Sequence, residues 1–247
     1  MVSVHSLPQL AAGTVELGLS LSADQMALFE RYYTVLKAGR RRAALTSVTG
    51  REAVQRRHFL ESLALLRALE RAKVLAEGRS ATVLDLGSGA GLPGLPMKIA
   101  RPYLELTLLD ATAKKTSFLR ELLAELDLPD VRLLTGRAED IGRDPEHRAT
   151  YDTVVARAVA PLAALVELAL PFLRVGGTLA SPKGSAARYE VSEAARALSE
   201  LGGAVVSAEP LETPGGAHRQ TLILVEKTRP TPDKYPRRAG VPQKRPL

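Results

Sequence analysis

The chemistry this chain could do is concentrated in one run, Val83-Leu84-Asp85-Leu86-Gly87-Ser88-Gly89-Ala90-Gly91-Leu92-Pro93-Gly94. An apolar strand breaks there into glycines, which permit positive φ and carry no Cβ, so a ligand can lie against the backbone. In open α/β sheets such ligands sit outside the carboxyl ends of the strands. Two cofactors compete for the loop. Gly89, Gly91 and Gly94 satisfy the dinucleotide fingerprint G-x-G-x-x-G, as in an NAD(P)-dependent oxidoreductase. Asp85 argues the other way: a carboxylate just before the loop repels a diphosphate and favours the ammonium and sulfonium charges of S-adenosylmethionine. Asp110 lies 19 residues past Gly91. An acid there accepts hydrogen bonds from both ribose hydroxyls of either cofactor, and a helix N-cap is its plainer reading.

Other candidates lie at further strand ends. Ala138-Glu139-Asp140 follows the third predicted strand, where it either meets an adenine ring or forms a solvated turn. Arg157 follows the fourth strand and Lys183 the fifth, on the ligand-binding edge. Arg157 is expected to orient the cofactor or substrate, and Lys183 to contact a phosphate or a base oxygen; surface salt bridges are the plainer reading of both. His58, in an apolar helical stretch, is either a hydrogen-bonded core histidine or a contact at the site's mouth. The four histidines have no metal-ligand spacing and there is no cysteine, so no metal is implied.

These residues need elements to hold them. The N-terminal third reads as helical. Ser22 and Gln25 form a capping box ahead of Leu28, Phe29, Tyr32, Tyr33 and Leu36. A basic, turn-prone stretch, Gly39 to Arg42 and then Thr46 to Gly50, precedes a second helix over about 52–76. From Ala81 onward strands alternate with helices: Thr82–Leu86, Glu105–Asp110, Val131–Leu134, Thr153–Ala156, Thr178–Ala180, Ala204–Val206 and Thr221–Val225. The pattern predicts an α/β fold with a seven-stranded, mostly parallel sheet. The expected divisions are a helical extension over 1–76, a cofactor-binding domain over 77–227 and a basic tail over 228–247. Lys227, Arg229, Lys234, Arg237, Arg238, Lys244 and Arg245 put most of the formal charge of +7 at the C-terminal end. Such a tail is either a polyanion-binding segment or a solvated, disordered one. No apolar run reaches the roughly 20 residues of a membrane span, and a cytoplasmic protein is expected.

Several blocks together resemble one family. Asp85-x-Gly87-x-Gly89-x-Gly91 is similar to the nucleotide-binding loop of Rossmann-like methyltransferases, and its extension through Leu92-Pro93-Gly94-Leu95-Pro96 is similar to the G-x-G-x-G-L-P-G-[IL]-P loop of the bacterial RsmG (GidB) family. Leu45-Thr46, Arg57-His58-Phe59-Leu60-Glu61-Ser62-Leu63 and the run Leu108 to Leu119 resemble its N-L-T, R-H-F-x-D-S-L and L-L-D-S-x-x-K-[RK]-x-x-F-L blocks. Arg157-Ala158, Lys183-Gly184 and the ending Tyr235 to Leu247 also fit. Ala44 and Glu61 depart from the usual asparagine and aspartate. The resemblance covers the chain from about Leu45 to its end.

The resemblance implies an S-adenosylmethionine-dependent methyltransferase acting on N7 of a guanine, position 527 in the 530 loop of 16S ribosomal RNA. It places the cofactor on Gly87, Leu92, Asp110, Ala111, Thr112, Ala138, Glu139 and Arg157, and Asp85, Gly89 and Gly91 complete the loop. His58, Lys183, Arg237, Arg238 and Lys244 are the expected RNA contacts, and the partner is 16S rRNA or a small-subunit assembly intermediate. N7 carries a lone pair and no proton, so no general base is required, consistent with the lack of a His–carboxylate pair. Positioning at near-attack distance, about 3–3.5 Å, then dominates, with the base unpaired or flipped out. A non-catalytic RNA-binding or ribosome-assembly protein on the same fold remains an alternative.

Overall fold

In the computed structural model, residues 7–43, 48, 50–216 and 219–247 are described. Seven strands, β1 (Ala81–Leu86), β2 (Leu104–Asp110), β3 (Arg132–Thr135), β4 (Tyr151–Val155), β5 (Leu173–Lys183), β6 (Gly203–Leu211) and β7 (Gln220–Lys227), form one sheet in the order β3-β2-β1-β4-β5-β7-β6. β1 to β5 are parallel, and β7 runs antiparallel between β5 and β6. This last hairpin departs from the 3-2-1-4-5-6 strand order of dinucleotide-binding folds. β1 lies at the centre, its Leu84 in register with Thr107 on one side and Val154 on the other. Helices cover both of its faces, so it reads as an apolar run rather than an alternation. Chain direction across the sheet reverses between β1 and β4, which opens a crevice at their carboxyl ends.

Helices α1 (Pro8–Glu16), α2 (Ala23–Ala43), α3 (Arg51–Val54) and α4 (Glu61–Arg71) build the N-terminal region. They share one hydrophobic core with α5 (Gly94–Ala100) and α6 (Ala113–Leu126) on one face of the sheet. Phe29, Tyr32 and Phe59 are fully buried in it, with ring centroids 5.0–5.2 Å apart. Burying each such ring or a leucine contributes about 1.5–3 kcal/mol. The capping box forms: Ser22 N–H donates to Gln25 Oε1 at 2.8 Å and Gln25 N–H to Ser22 Oγ at 3.2 Å. The Gln25 amide also donates to the carbonyls of Ile99 and Ala100, which pins α2 to the end of α5. The opposite face holds α7 (Ala138–Ile141), α8 (Leu162–Ala169), α9 (Ala187–Glu193) and α10 (Ala195–Leu201), packed over Leu86, Val154, Phe172 and Leu179.

Three local expectations are corrected. The turn expected over Gly39–Arg42 is helical, because α2 continues to Ala43. The single helix expected over 52–76 is interrupted by a π-helical turn, Gln55–Leu60, and ends at Arg71. At the start of that turn the buried side chain of Gln55 accepts, through Oε1, the backbone N–H groups of Gln9 and Leu10 in the first turn of α1, which has no side-chain cap of its own. The glycine pair expected to turn before a fifth strand lies inside it: Gly176 has φ 80° and a Cβ on Gly177 would meet the Asp152 carbonyl oxygen at 2.9 Å. Ala44, the Leu45-Thr46 motif and most of the turn Thr46–Gly50 lie outside the described residues.

The tail is not the solvated segment that its composition allows. Tyr235 is buried, and α11 (Val241–Lys244) packs on α8. The Arg148 guanidinium donates to the carbonyls of Tyr235 and Thr231 at 2.9 Å each. The fully buried Glu167 of α8 accepts from Arg237 Nε, Nη2 and the backbone N–H at 2.6–3.1 Å.

Candidate active site

The crevice is a cavity of about 650 Å³. Its floor is the loop after β1, where Gly87, Gly89 and Gly91 have φ 74°, 57° and 89°. A Cβ on Gly87 would strike Val159 at 2.7 Å and one on Gly91 would strike Leu95 at 2.4 Å. The loop is held from below and from the side. Gly87 and Ser88 donate backbone N–H groups to the Leu109 carbonyl, and Ser88 Oγ accepts from Leu109 N–H at 3.0 Å. Tyr32 of α2 donates its hydroxyl to the Ala90 carbonyl at 2.7 Å. Sequence reading had Tyr32 only as a core residue; the signal was a tyrosine on an apolar stripe, whose buried hydroxyl needs an acceptor.

Two carboxylates govern this floor. Asp110, at the end of β2, accepts the Gly89 N–H at 3.0 Å and the Thr112 N–H at 2.8 Å, so it shapes the loop and the turn into α6 together. Lys115 stands 3.7 Å from it and lines the cavity. Asp85 is fully buried and is not part of the cavity wall, contrary to the expectation of direct contact with a ligand. Its Oδ2 accepts the Gly94 N–H at 2.8 Å, and Oδ1 is buried without a hydrogen-bond partner. Gly94 is required there, since a Cβ would meet Asp85 Oδ2 at 2.8 Å. Burial pushes the Asp85 carboxyl up to about 7, while the Gly94 N–H and the Arg157 charge pull it back. A cation bound above the loop would stabilise the ionised form further, and a diphosphate would oppose it.

The side wall comes from the N-terminal region. The π-helical turn, a widening common at functional sites, leaves Arg57, His58 and Glu61 on the cavity while Phe59, Leu60 and Leu63 stay in the core. His58 Nδ1 lies 3.0 Å from the Arg57 carbonyl, an acceptor only, so the neutral ring carries its proton on Nδ1. Burial and then the Arg157 charge lower the His58 pKa to about 4. Arg157, after β4, donates to Glu61 Oε2 and to the Arg57 carbonyl, both at 3.3 Å. Burial lowers its pKa, against the support of Glu61 and Asp85, and a guanidinium stays charged regardless. Ser185 and Arg219 close the far side.

The remaining expected site residues divide. Leu92 lines the cavity, Ala111 and Thr112 are exposed beside Asp110, and Ala138 is half-buried at the start of α7. Glu139 points elsewhere: it is buried and its Oε1 accepts the Gly240 N–H of the tail at 2.7 Å. Lys183 is also engaged internally, donating to the Ala160 carbonyl at 2.6 Å and pairing with Glu190 at 2.8 Å, and it does not line the cavity. Arg237 is committed to Glu167, whereas Arg238 and Lys244 are exposed. Charge counting cannot separate these three cations, because a buried acid such as Glu167 reads like any other in an amphipathic helix. Among the described residues no three His, Asp or Glu side chains converge as a metal site, and no helix is long and apolar enough to cross a membrane.

The glycine cradle and Asp110 fit a nucleoside-bearing cofactor, and the buried carboxyl of Asp85 beneath the loop favours the cationic S-adenosylmethionine over a diphosphate. Known proteins agree. The model of the GidB family, rRNA small subunit methyltransferase G, matches residues 25–221. The chain is 46% identical over 230 residues to the ribosomal RNA small subunit methyltransferase G of Roseiflexus castenholzii, covering 93% of this chain and 95% of that one. It is 45% identical over 238 residues to the protein of the same name from Deinococcus radiodurans, covering 96% and 91%. Its fold is shared with an O-methyltransferase from Bacillus cereus solved in complex with SAH, at TM-score 0.56 and 16% identity, covering 81% and 91%. With this cradle, this sheet order and these relatives, the chain belongs to the rRNA small subunit methyltransferase G family and is an S-adenosylmethionine-dependent enzyme.

Proposed function

We propose that the protein methylates N7 of guanine 527 in the 530 loop of 16S rRNA, in the cytoplasm, on rRNA or an assembling small subunit. The observation that carries this reading is a glycine-floored cavity at the β1/β4 crevice with Arg57, Lys115, Arg157 and Arg219 around it. Such a cavity suits a neutral base extruded from a polyanion.

S-adenosylmethionine, when bound, supplies an electrophilic methyl group. Gly87, Gly89, Gly91 and Leu92 would hold it along the loop, Asp110 with Ala111 and Thr112 at the ribose, Ala138 near the adenine, and Arg157 at the wall. The protein has no proton to remove, since N7 presents a lone pair. Neutral His58, its Nδ1 proton directed at the Arg57 carbonyl, is therefore a wall group and not a base. The cationic rim attracts the flanking phosphates. Arg238 and Lys244, exposed in the tail, serve as outer phosphate contacts.

Incubating the protein with methyl-labelled S-adenosylmethionine and undermethylated 16S rRNA or small subunits tests the reading. The label is expected on one guanine, where reduction and aniline treatment cleave the strand as N7-methylguanine requires. Label on another atom, or on a protein, overturns it.

A further inference from the structure

With the cofactor along the loop after β1 and its ribose beside Asp110 after β2, the target base has the remaining side of the cavity. That side runs toward Arg157 after β4, Ser185 after β5 and Gln220 at the start of β7. The nucleotides flanking the base leave over the same rim. Proteins hold an unpaired strand by two kinds of contact, cations on its phosphates and aromatic rings stacked on its bases. The cavity supplies the cations, whereas the rings of this chain are almost all in its interior.

Of the six tyrosines and four phenylalanines, Tyr189 alone is exposed, at 66%. An isolated exposed ring is common on protein surfaces and decides nothing by itself; its place in the fold does. Ala187 N–H donates to the Gly184 carbonyl at 3.1 Å, so the chain is already winding into α9 at Ser185. Tyr189 follows one helical turn later, about 6 Å from Ser185 and on the same side of the helix. The rotation of α9 is fixed: Ala187 is buried, and Glu190 Oε2 accepts the Leu162 N–H at 2.7 Å and pairs with Lys183 at 2.8 Å. Arg188 and Tyr189 are thereby turned outward beside a residue of the cavity wall. The other exposed residues of α9 are Ser192 and Glu193, so the ring has no apolar patch around it on this helix of the kind that a protein partner or a membrane surface needs. One ring next to one guanidinium matches a single nucleotide, a base and its phosphate.

We propose that Tyr189 is a stacking platform for an unpaired nucleotide adjoining the methylated guanine, with Arg188 on the neighbouring phosphate. This rests on the rRNA reading above. The platform holds the strand beside the cavity and leaves the cavity itself to the target base and the cofactor.

The test uses the full-length enzyme and undermethylated 16S rRNA. Tyr189→Ala should weaken RNA binding by about five- to a hundredfold, the range for loss of one base stack. The slope of log affinity against log salt should stay as in the native enzyme, because a stack releases no counterions, and the Kd for S-adenosylmethionine should not move. Arg188→Ala should instead flatten that slope by about 0.7. The chain has no tryptophan, so Tyr189→Trp introduces a single indole. This variant should keep native affinity, and its emission should be quenched when the RNA binds. The proposal is overturned if Tyr189→Ala binds RNA within about twofold of the native enzyme, if that variant loses cofactor affinity, or if the indole emission ignores the RNA. A sedimentation change in Tyr189→Ala with RNA affinity intact assigns the ring to contact between copies of the chain and overturns it too. A native enzyme that binds the RNA but methylates no guanine at N7 overturns the functional reading alone, since the platform is read from binding.

Discussion

Two arginines pair with nearly buried glutamates on opposite sides of the sheet, and they do so differently. Arg237 forks onto Glu167 with contacts of 2.6–3.1 Å, and the backbone N–H of Arg237 joins them. Arg157 meets Glu61 through one contact at 3.3 Å and shares its donor with a carbonyl. The first pair locks the tail onto α8 and leaves little hydrogen-bonding capacity unused. The second stands in a cavity wall beside Asp85, whose Oδ1 has no partner. The first pair is sealed between the tail and α8, whereas the second borders the cavity.

The strongest way to break this comparison is Arg157→Ala. It should lower kcat/KM by about 10²–10³, as loss of one oriented cationic donor in a water-poor site does. The folded protein should lose less than about 2 kcal/mol, because Glu61 can hydrate from the cavity. Comparable losses in the urea midpoint and in activity would show that Arg157 is structural after all. Arg237→Ala should reverse the pattern. It strands the buried Glu167 and should cost about 3–5 kcal/mol of unfolding free energy, with the cofactor Kd of the folded protein unchanged; a shift in that Kd breaks the distinction.

Titration sharpens it. In the fold Asp85 keeps its proton up to about 7, whereas in the unfolded chain it loses it near 4. The native state binds more protons between these values, so this group makes stability fall as pH rises from about 4 to 7. His58 acts oppositely: its folded pKa of about 4 lies below the unfolded 6.5, so its contribution rises with pH over that window. The two nearly offset in the native chain. Asp85→Asn should uncover the His58 slope, a gain on the order of 3 kcal/mol between pH 4 and 6.5. Melting curves across that range check this, and a variant as flat as the native chain refutes it. The smallest effects belong to the exposed tail cations. Arg238→Ala and Lys244→Ala should each weaken RNA binding a few-fold and flatten the plot of log affinity against log salt by about 0.7–0.9. An Arg237 variant that changes this slope equally would erase the difference between free and committed cations.

Much of the fold was legible along the chain. The apolar run of β1, the capping box at Ser22 and the glycine loop are local patterns, set by neighbours a few residues apart. The cap that Gln55, at the start of the helical break, gives to Gln9 and Leu10 was not legible, since these partners lie 45–46 positions away. The early start of β5 was also missed: Gly176 and Gly177 read as a turn, and the strand spans them as an irregularity, its pairing to β4 passing from Leu173 to Thr178.

The site shows the same division. Residue types and spacing placed a nucleoside-bearing cofactor on a glycine-floored loop with acids at two strand ends and favoured the positively charged candidate, because backbone freedom and charge sign are properties of the residues themselves. Only the tertiary structure decided that Glu61 and Tyr32 join the site, that Asp85 lies beneath the loop, and that Lys183, Glu139 and Arg237 are engaged within the protein. A side chain's role depends on which partner reaches it first, and those partners lie from 7 to 101 positions away along the chain.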